Sequence, residues 1–193
     1  KEGGLVIVRT NGEFTESARQ GDIFVATNPG VGVTLAATHA IGAAVPAAGA
    51  ATPMLAIANP VANSTQLLAI NKIKVQTISG TPGGGFLVGF IPQEAQYTGV
   101  KTNKAINTLS LIEAGNAYVI PNLALAGTTQ QVKELRVIGG PAAVATGAGM
   151  YHVEDVVGGA IVVTPGCIVG IFAQAAGTTN VVKASIEFEV VNI

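Results

Sequence analysis

Asn71-Lys72-Ile73-Lys74-Val75-Gln76-Thr77-Ile78 is the stretch on which the fold turns. In an extended chain Ile73, Val75 and Thr77 share one side, and Lys72, Lys74 and Gln76 share the other. Near the other end of the sequence Val182, Ala184, Ile186, Phe188 and Val190 alternate in the same way with Lys183, Ser185, Glu187 and Glu189. A register slip of one residue would carry each apolar set into water, so both stretches specify half-buried strands. Working outward, further β-rich runs are Leu5–Arg9, Asp22–Ala26, Val31–Leu35, Met54–Ala58, Phe86–Ile91, Ala117–Leu125, Val132–Ile138, Ala160–Thr164 and Cys167–Ala173. Asn28-Pro29-Gly30, Gly80–Gly85, Gly139-Gly140-Pro141, Gly158-Gly159 and Thr164-Pro165-Gly166 punctuate them with turn chemistry, and Gly80–Gly85 reads as a wide hairpin turn. Many short strands with almost no helix signal predict an all-β antiparallel sandwich or barrel.

With 193 residues the chain reads as a single domain, 1–193. Charged residues are 11% and hydrophobic ones 49%, with a formal net charge of −1. That balance excludes nucleic acid as a partner, because phosphate neutralisation needs clustered Lys and Arg. Between Asp22 and Lys72 there is no charge at all, yet Pro29, Pro46, Pro53, Pro60 and several Asn interrupt the stretch, so it is not a membrane span. The chain opens on Lys1 and reads as a trimmed or processed product; KEGGLVIVRT lacks the long apolar region of a secretory signal. Ala36–Thr52, rich in Ala and Gly, is broken by Gly42, Pro46 and Gly49 and reads as extended rather than helical. Residues 1–52 therefore contribute either an arm over the sandwich or an interface segment. Small uncharged side chains allow close approach without desolvating charge, which makes Ala36, Ala37, His39, Ala40, Ala43 and Ala44 the candidate interface residues. Thr128–Leu135 fits either the start of a short helix or a strand.

No catalytic constellation emerges. His39 and His152 are the only histidines, Asp22 and Asp155 the only aspartates, and Cys167 the only cysteine, which leaves too few ligands for a metal centre. His152-Val153-Glu154-Asp155 is the densest polar cluster; alternation puts His152 and Glu154 on one face, as a solvated strand edge or loop. Ser79 lies in a turn rather than a nucleophile elbow, and Cys167 opens an apolar strand as a small hydrophobe. Glu187 and Glu189 share a solvated strand face with Lys183 and Ser185. The expectation is a non-enzymatic protein with no cofactor and no metal.

Three stretches carry a resemblance: NPVANSTQLLAINKIKVQTISGTPGGGFLVGF (59–90), GGAIVVTPGCIVGI (158–171) and ASIEFEVV (184–191). Their order and content resemble the small jelly-roll decoration, or cement, proteins on the heads of tailed bacteriophages. The corresponding features are the Asn59-Pro60 turn before a long strand, the Ser79-Gly80-Thr81-Pro82-Gly83 hairpin after it, Thr164-Pro165-Gly166 before a late strand, and the closing Ser185-Ile186-Glu187-Phe188-Glu189. Phe188 stands where that group is expected to carry Trp, and Ala36–Thr52 has no counterpart. The resemblance implies a jelly roll, a homotrimer, attachment to the major capsid protein on the outer surface of the virion, and no enzymatic activity. An alternative on the same architecture is a domain of a phage tail, baseplate or head fibre that binds host-surface glycan. A cupin-like enzyme would need several His and a Glu around a metal, which two separated histidines do not supply.

Overall fold

The computed structural model describes residues 13–28, 30–35, 53–80, 84–91, 102–121, 133–139, 151–175 and 179–193. Among them are one helix, α1 (Glu13–Gln20), and eleven strands. These are β1 (Ile23–Thr27), β2 (Val33–Thr34), β3 (Leu55–Asn59), β4 (Gln66–Ser79), β5 (Phe86–Ile91) and β6 (Lys104–Asn107), then β7 (Glu113–Pro121), β8 (Lys133–Gly139), β9 (His152–Val163), β10 (Cys167–Ala173) and β11 (Val181–Asn192). All pairings are antiparallel, and the strands form one sheet in the order β8-β5-β10-β3-β7-β6-β1-β11-β4-β9, with β2 paired to β11. The sheet curls into a nearly closed barrel, so the β8 and β9 edges face each other. Arg136 on β8 spans that seam to Asp155 on β9. Its Nη2 donates to Oδ1 at 2.9 Å, and its Nε lies 2.8 Å from Oδ2, too far off line for a hydrogen bond.

Strand order divides the barrel into two flanks, β1-β11-β4-β9 and β3-β10-β5-β8, with the β6–β7 hairpin joining β1 to β3. Among these eight strands every connection except β5 to β8 passes from one flank to the other. The Gly80–Gly85 stretch is one such crossing: β4 and β5 are not paired, so the expected hairpin there is instead a link between flanks. Glycine is required at position 80, where φ is +80° and an added Cβ would collide with the Thr179 carbonyl.

The alternation expected for β4 and β11 holds. Ile73, Val75, Ile186 and Phe188 are fully buried, Val190 packs against the core, and Lys72, Lys74 and Gln76 face outward. Between Ile70 and Lys72 the ladder shifts by one residue, and this bulge at Asn71 lets both Ile70 and Ile73 point inward. In the core Phe24 and Phe188 stack with ring centroids 5.7 Å apart. On the other flank β3, β5 and β10 do not alternate, and their apolar runs LAIAN, FLVGFI and CIVGIFA are buried on both faces almost throughout. Leu87, Ile91, Ile168 and Phe172 from β5 and β10 form a second cluster with Ala56 and Ala58 of β3 and Tyr118 and Ile120 of β7. Continuous apolar runs lose their hydrophobic gain unless both faces are sheltered, so the expected half-buried pattern applies to one flank only.

Helix α1 has no counterpart in the sequence reading. It ends in a glycine cap: Gly21 has φ +79°, Gly21 N donates to Ala18 O and Asp22 N to Ser17 O, which satisfies carbonyls of the last turn. Ser17 Oγ ties the helix to β11 through a 2.6 Å hydrogen bond to Glu189 Oε1. No helix among the described residues is long and apolar enough to cross a membrane. Leu5–Arg9, Ala36–Thr52 and residues 128–132 lie outside the described residues, while 133–139 form a strand.

Candidate functional site

The residues singled out by sequence scatter. Ala36, Ala37, His39, Ala40, Ala43 and Ala44 lie outside the described residues. His152 and Glu154 do share the outward face of β9, as alternation predicts. Glu154 is not free for acid–base work, since its Oε1 lies 3.2 Å from Lys72 Nζ and its Oε2 3.2 Å from Lys74 Nζ. Hydrogen bonds from Lys74 and then Lys72 hold its carboxyl below the ordinary Glu value. Asp155 belongs to the seam. Glu189 is engaged by Ser17, whereas Glu187 sits across from Lys72 in the ladder, so the two carboxylates do not act as a pair. Cys167 is buried with its Sγ 3.3 Å from Thr164 Oγ1. Among the described residues no three His, Cys, Asp or Glu side chains gather in a metal-binding group.

The feature that stands apart is the turn of the β6–β7 hairpin, Thr108–Ile112. Leu109, Leu111 and Ile112 are 60%, 77% and 61% exposed, with Ile106 partly exposed beside them. Large apolar side chains in water are ordinary singly, but three within four residues make a patch of the kind that marks interaction sites. The backbone beneath them is firmly built. Asn107 Oδ1 accepts hydrogen bonds from Leu109 N, Ser110 N and Ser110 Oγ, and its Nδ2 donates to Gly21 O. Thr108 adds two bonds to Ile23 O, from its N and its Oγ1. Leu111 is held at φ +57°, a left-handed conformation that costs a branched side chain about 1–2 kcal/mol. An anchored, strained turn that keeps three apolar side chains in solvent is preorganised to bury them against a partner. The sequence signal was faint: Leu109-Ser110-Leu111-Ile112 has neither alternation nor helical spacing, so it registers as a loop.

A cleft of about 310 Å³ lies beside the hairpin between Val25, Asn28, Lys104, Ile106 and Glu113. Its two charges are of opposite sign, and buried Asn28 is already committed, donating from Nδ2 to Val182 O and accepting at Oδ1 from Ala184 N. That side-chain amide continues the β1–β11 ladder where β1 ends, so it is structural. A second recess, about 240 Å³, opens on the outer face of the β1-β11-β4-β9 flank. Compared with protein-family models, curated proteins and solved structures, the chain has no match.

Proposed function

We propose that this chain is a non-enzymatic virion protein of a tailed bacteriophage, a jelly-roll decoration or cement protein that seats on the major capsid protein shell and reinforces the head. The jelly-roll part of the reading is supported by strand order. Two four-stranded flanks, β1-β11-β4-β9 and β3-β10-β5-β8, linked by alternate crossings, have the strand order that two Greek keys wrapped into a double sheet would give. Three of the features behind the sequence resemblance lie at strand boundaries or in a strand as that reading expects, while the Ser79–Gly83 turn does not pair β4 with β5. Asn59-Pro60 closes β3 ahead of the long strand β4, Thr164-Pro165-Gly166 joins β9 to β10, and Ser185–Glu189 lies within β11.

The observation that carries the function is the apolar turn Leu109–Ile112 on its rigid hairpin. A protein whose work is attachment needs a preformed contact that loses water on docking, and this turn offers one. Its counterpart on the shell is an apolar recess in the capsid subunit. Trimerisation, the other part of the proposal, multiplies weak single contacts by presenting three turns at once.

Location tests it. Gold-labelled antibody against the chain, applied to particles that carry it, is expected over the head. Label confined to the tail, baseplate or fibres refutes the reading. On heads stripped of the protein, a Leu109→Ser/Leu111→Ser/Ile112→Ser variant should fold yet fail to rebind, whereas wild-type chain rebinds. Analytical ultracentrifugation of the isolated chain checks the trimer.

A further inference from the structure

On the β1-β11-β4-β9 flank the outward side chains stand in cross-strand rows fixed by register. Thr27, Ser185, Lys74 and Glu154 form one row, and Lys183, Gln76 and His152 the next. All but Glu154 line the 240 Å³ recess, together with Ala184. The inventory is unbalanced toward donors and positive charge. Glu154 is spent on Lys72 and Lys74, one oxygen each. Lys183 has no carboxylate partner among the described residues; its ammonium makes one long contact, 3.4 Å to Gly30 O. Two other carboxylates stand on this face, both away from the recess: Glu187 lies one row off, opposite Lys72, and Glu189 a row further, hydrogen-bonded by Ser17. In a chain of net charge −1 this is a local concentration of cationic and hydroxyl groups.

We infer that this recess binds one acidic sugar residue, its carboxylate or sulfate held between Lys183 and Lys74 and its hydroxyls by Ser185, Thr27 and His152. The ionic part follows from Lys183, whose ammonium has no carboxylate beside it among the described residues, and from Lys74 on the same hollow, which keeps donors to spare beyond its one contact with Glu154; hydrogen bonds to a charged group are the strong ones. The sugar part follows from the neutral groups around them, which pair with hydroxyls. Among the described residues no Phe, Tyr or Trp lines the recess, so His152 is the one ring there and no broad platform stacks a neutral sugar or a nucleobase. Its volume lies below the ~300–1,000 Å³ of sites that enclose drug-sized ligands, which limits it to a single residue or the end of a chain. The recess is on the opposite side of β1 from the interior and does not include the β6–β7 turn, so the inference stands apart from attachment to the shell.

The experiment is a titration of the whole chain, followed by calorimetry and by His152 ring resonances. The probes are glucuronic acid, a sulfated hexose, neutral glucose, inorganic phosphate and a single-stranded oligonucleotide. An acidic sugar is expected to bind, to move the His152 signals, and to weaken roughly tenfold or more with Lys183→Ala, the loss of one charged hydrogen bond. Lys104→Ala, on the hairpin, should leave binding unchanged, and all variants should melt with wild type because Lys183 faces outward. Equal binding of glucose, or none of either acidic sugar, overturns the inference. So does phosphate binding as tightly as the sugars, which leaves only an oxyanion site. Preferred binding of the oligonucleotide, lost in Lys183→Ala, would reassign the face to nucleic acid. None of these results bears on whether heads are labelled, so each reading can fail alone.

Discussion

Replacing Phe188 by alanine tests the placement of β11, and with it the whole barrel. Phe188 is fully buried, faces Ile70 across the β4 ladder and Phe24 across the β1 ladder, and stacks on the Phe24 ring at 5.7 Å. Truncating a buried Phe removes its transfer free energy and leaves a cavity, together about 3–5 kcal/mol. The Phe24 stack is part of that loss and isolates as a coupling of about 0.5–1.5 kcal/mol in a double-mutant cycle with Phe24→Ala. For a chain of this length ~4 kcal/mol corresponds to a drop of roughly 8–16 °C in Tm. Urea unfolding followed by circular dichroism should show the midpoint falling with unchanged slope, Phe188→Leu falling least, and the outward neighbour Glu187→Ala within ~0.5 kcal/mol of wild type. A Phe188→Ala midpoint as close to wild type as Glu187→Ala would mean that β11 runs in the other register, with its acidic residues inward.

Asn59 is buried and donates from Nδ2 to two carbonyls, Gln66 O at 2.9 Å and Val163 O at 3.0 Å; Asn59→Leu should cost about 2–6 kcal/mol in urea unfolding, since each orphaned acceptor costs ~1–3 kcal/mol. Leu111→Gly should leave Tm unchanged or raise it, because relief of the φ +57° strain offsets the flexibility of glycine, while head rebinding weakens; a clear loss of Tm would show that the turn's conformation is not strained. Glu154 has its pKa lowered by the two lysines, so its contribution to stability is present above the ordinary value of 4.5 and fades as pH falls through the lower folded value. Stability of wild type relative to Glu154→Gln should therefore shrink below that pH and shrink with added salt; a constant difference from neutral to acid would mean that the lysines do not hold the carboxylate.

What sequence revealed depended on whether the signal was local. Period-two alternation in β4 and β11 reports directly which side chains meet the core, and Ile73, Val75, Ile186 and Phe188 are where that pattern puts them. In β3, β5 and β10 the same reading found the strands but not their second sheltered face, because a short apolar run does not say how many of its sides are covered. Glycine and proline mark where the chain turns without saying which strand it meets next, so Gly80–Gly85 has the composition of a hairpin although β4 and β5 lie on different flanks. EFTESARQ is too short and polar to announce a helix; its glycine cap and the Ser17–Glu189 contact, 172 residues apart in sequence, stabilise it. Pairing of Arg136 with Asp155 and the convergence of Lys74, Lys183 and His152 are products of register between distant strands. The Leu109–Ile112 turn was legible only as an anomaly, apolar residues in a place where turns are usually polar.

Strand β11 has a consequence for how the protein is made. It is the last of the eleven strands to leave the ribosome, yet it is the partner of β1, β2 and β4 at once. Until it emerges, β1 has no neighbour on that side and β4 offers twelve residues of unpaired ladder, including the inward row Leu68, Ile70, Ile73 and Val75. A growing chain therefore carries sticky, unfinished edges from β1 until β11 is made, the condition under which nascent β proteins aggregate or recruit chaperones. A product interrupted before Val181 would lack the strand that joins three others and would be left as a fragment for proteolysis.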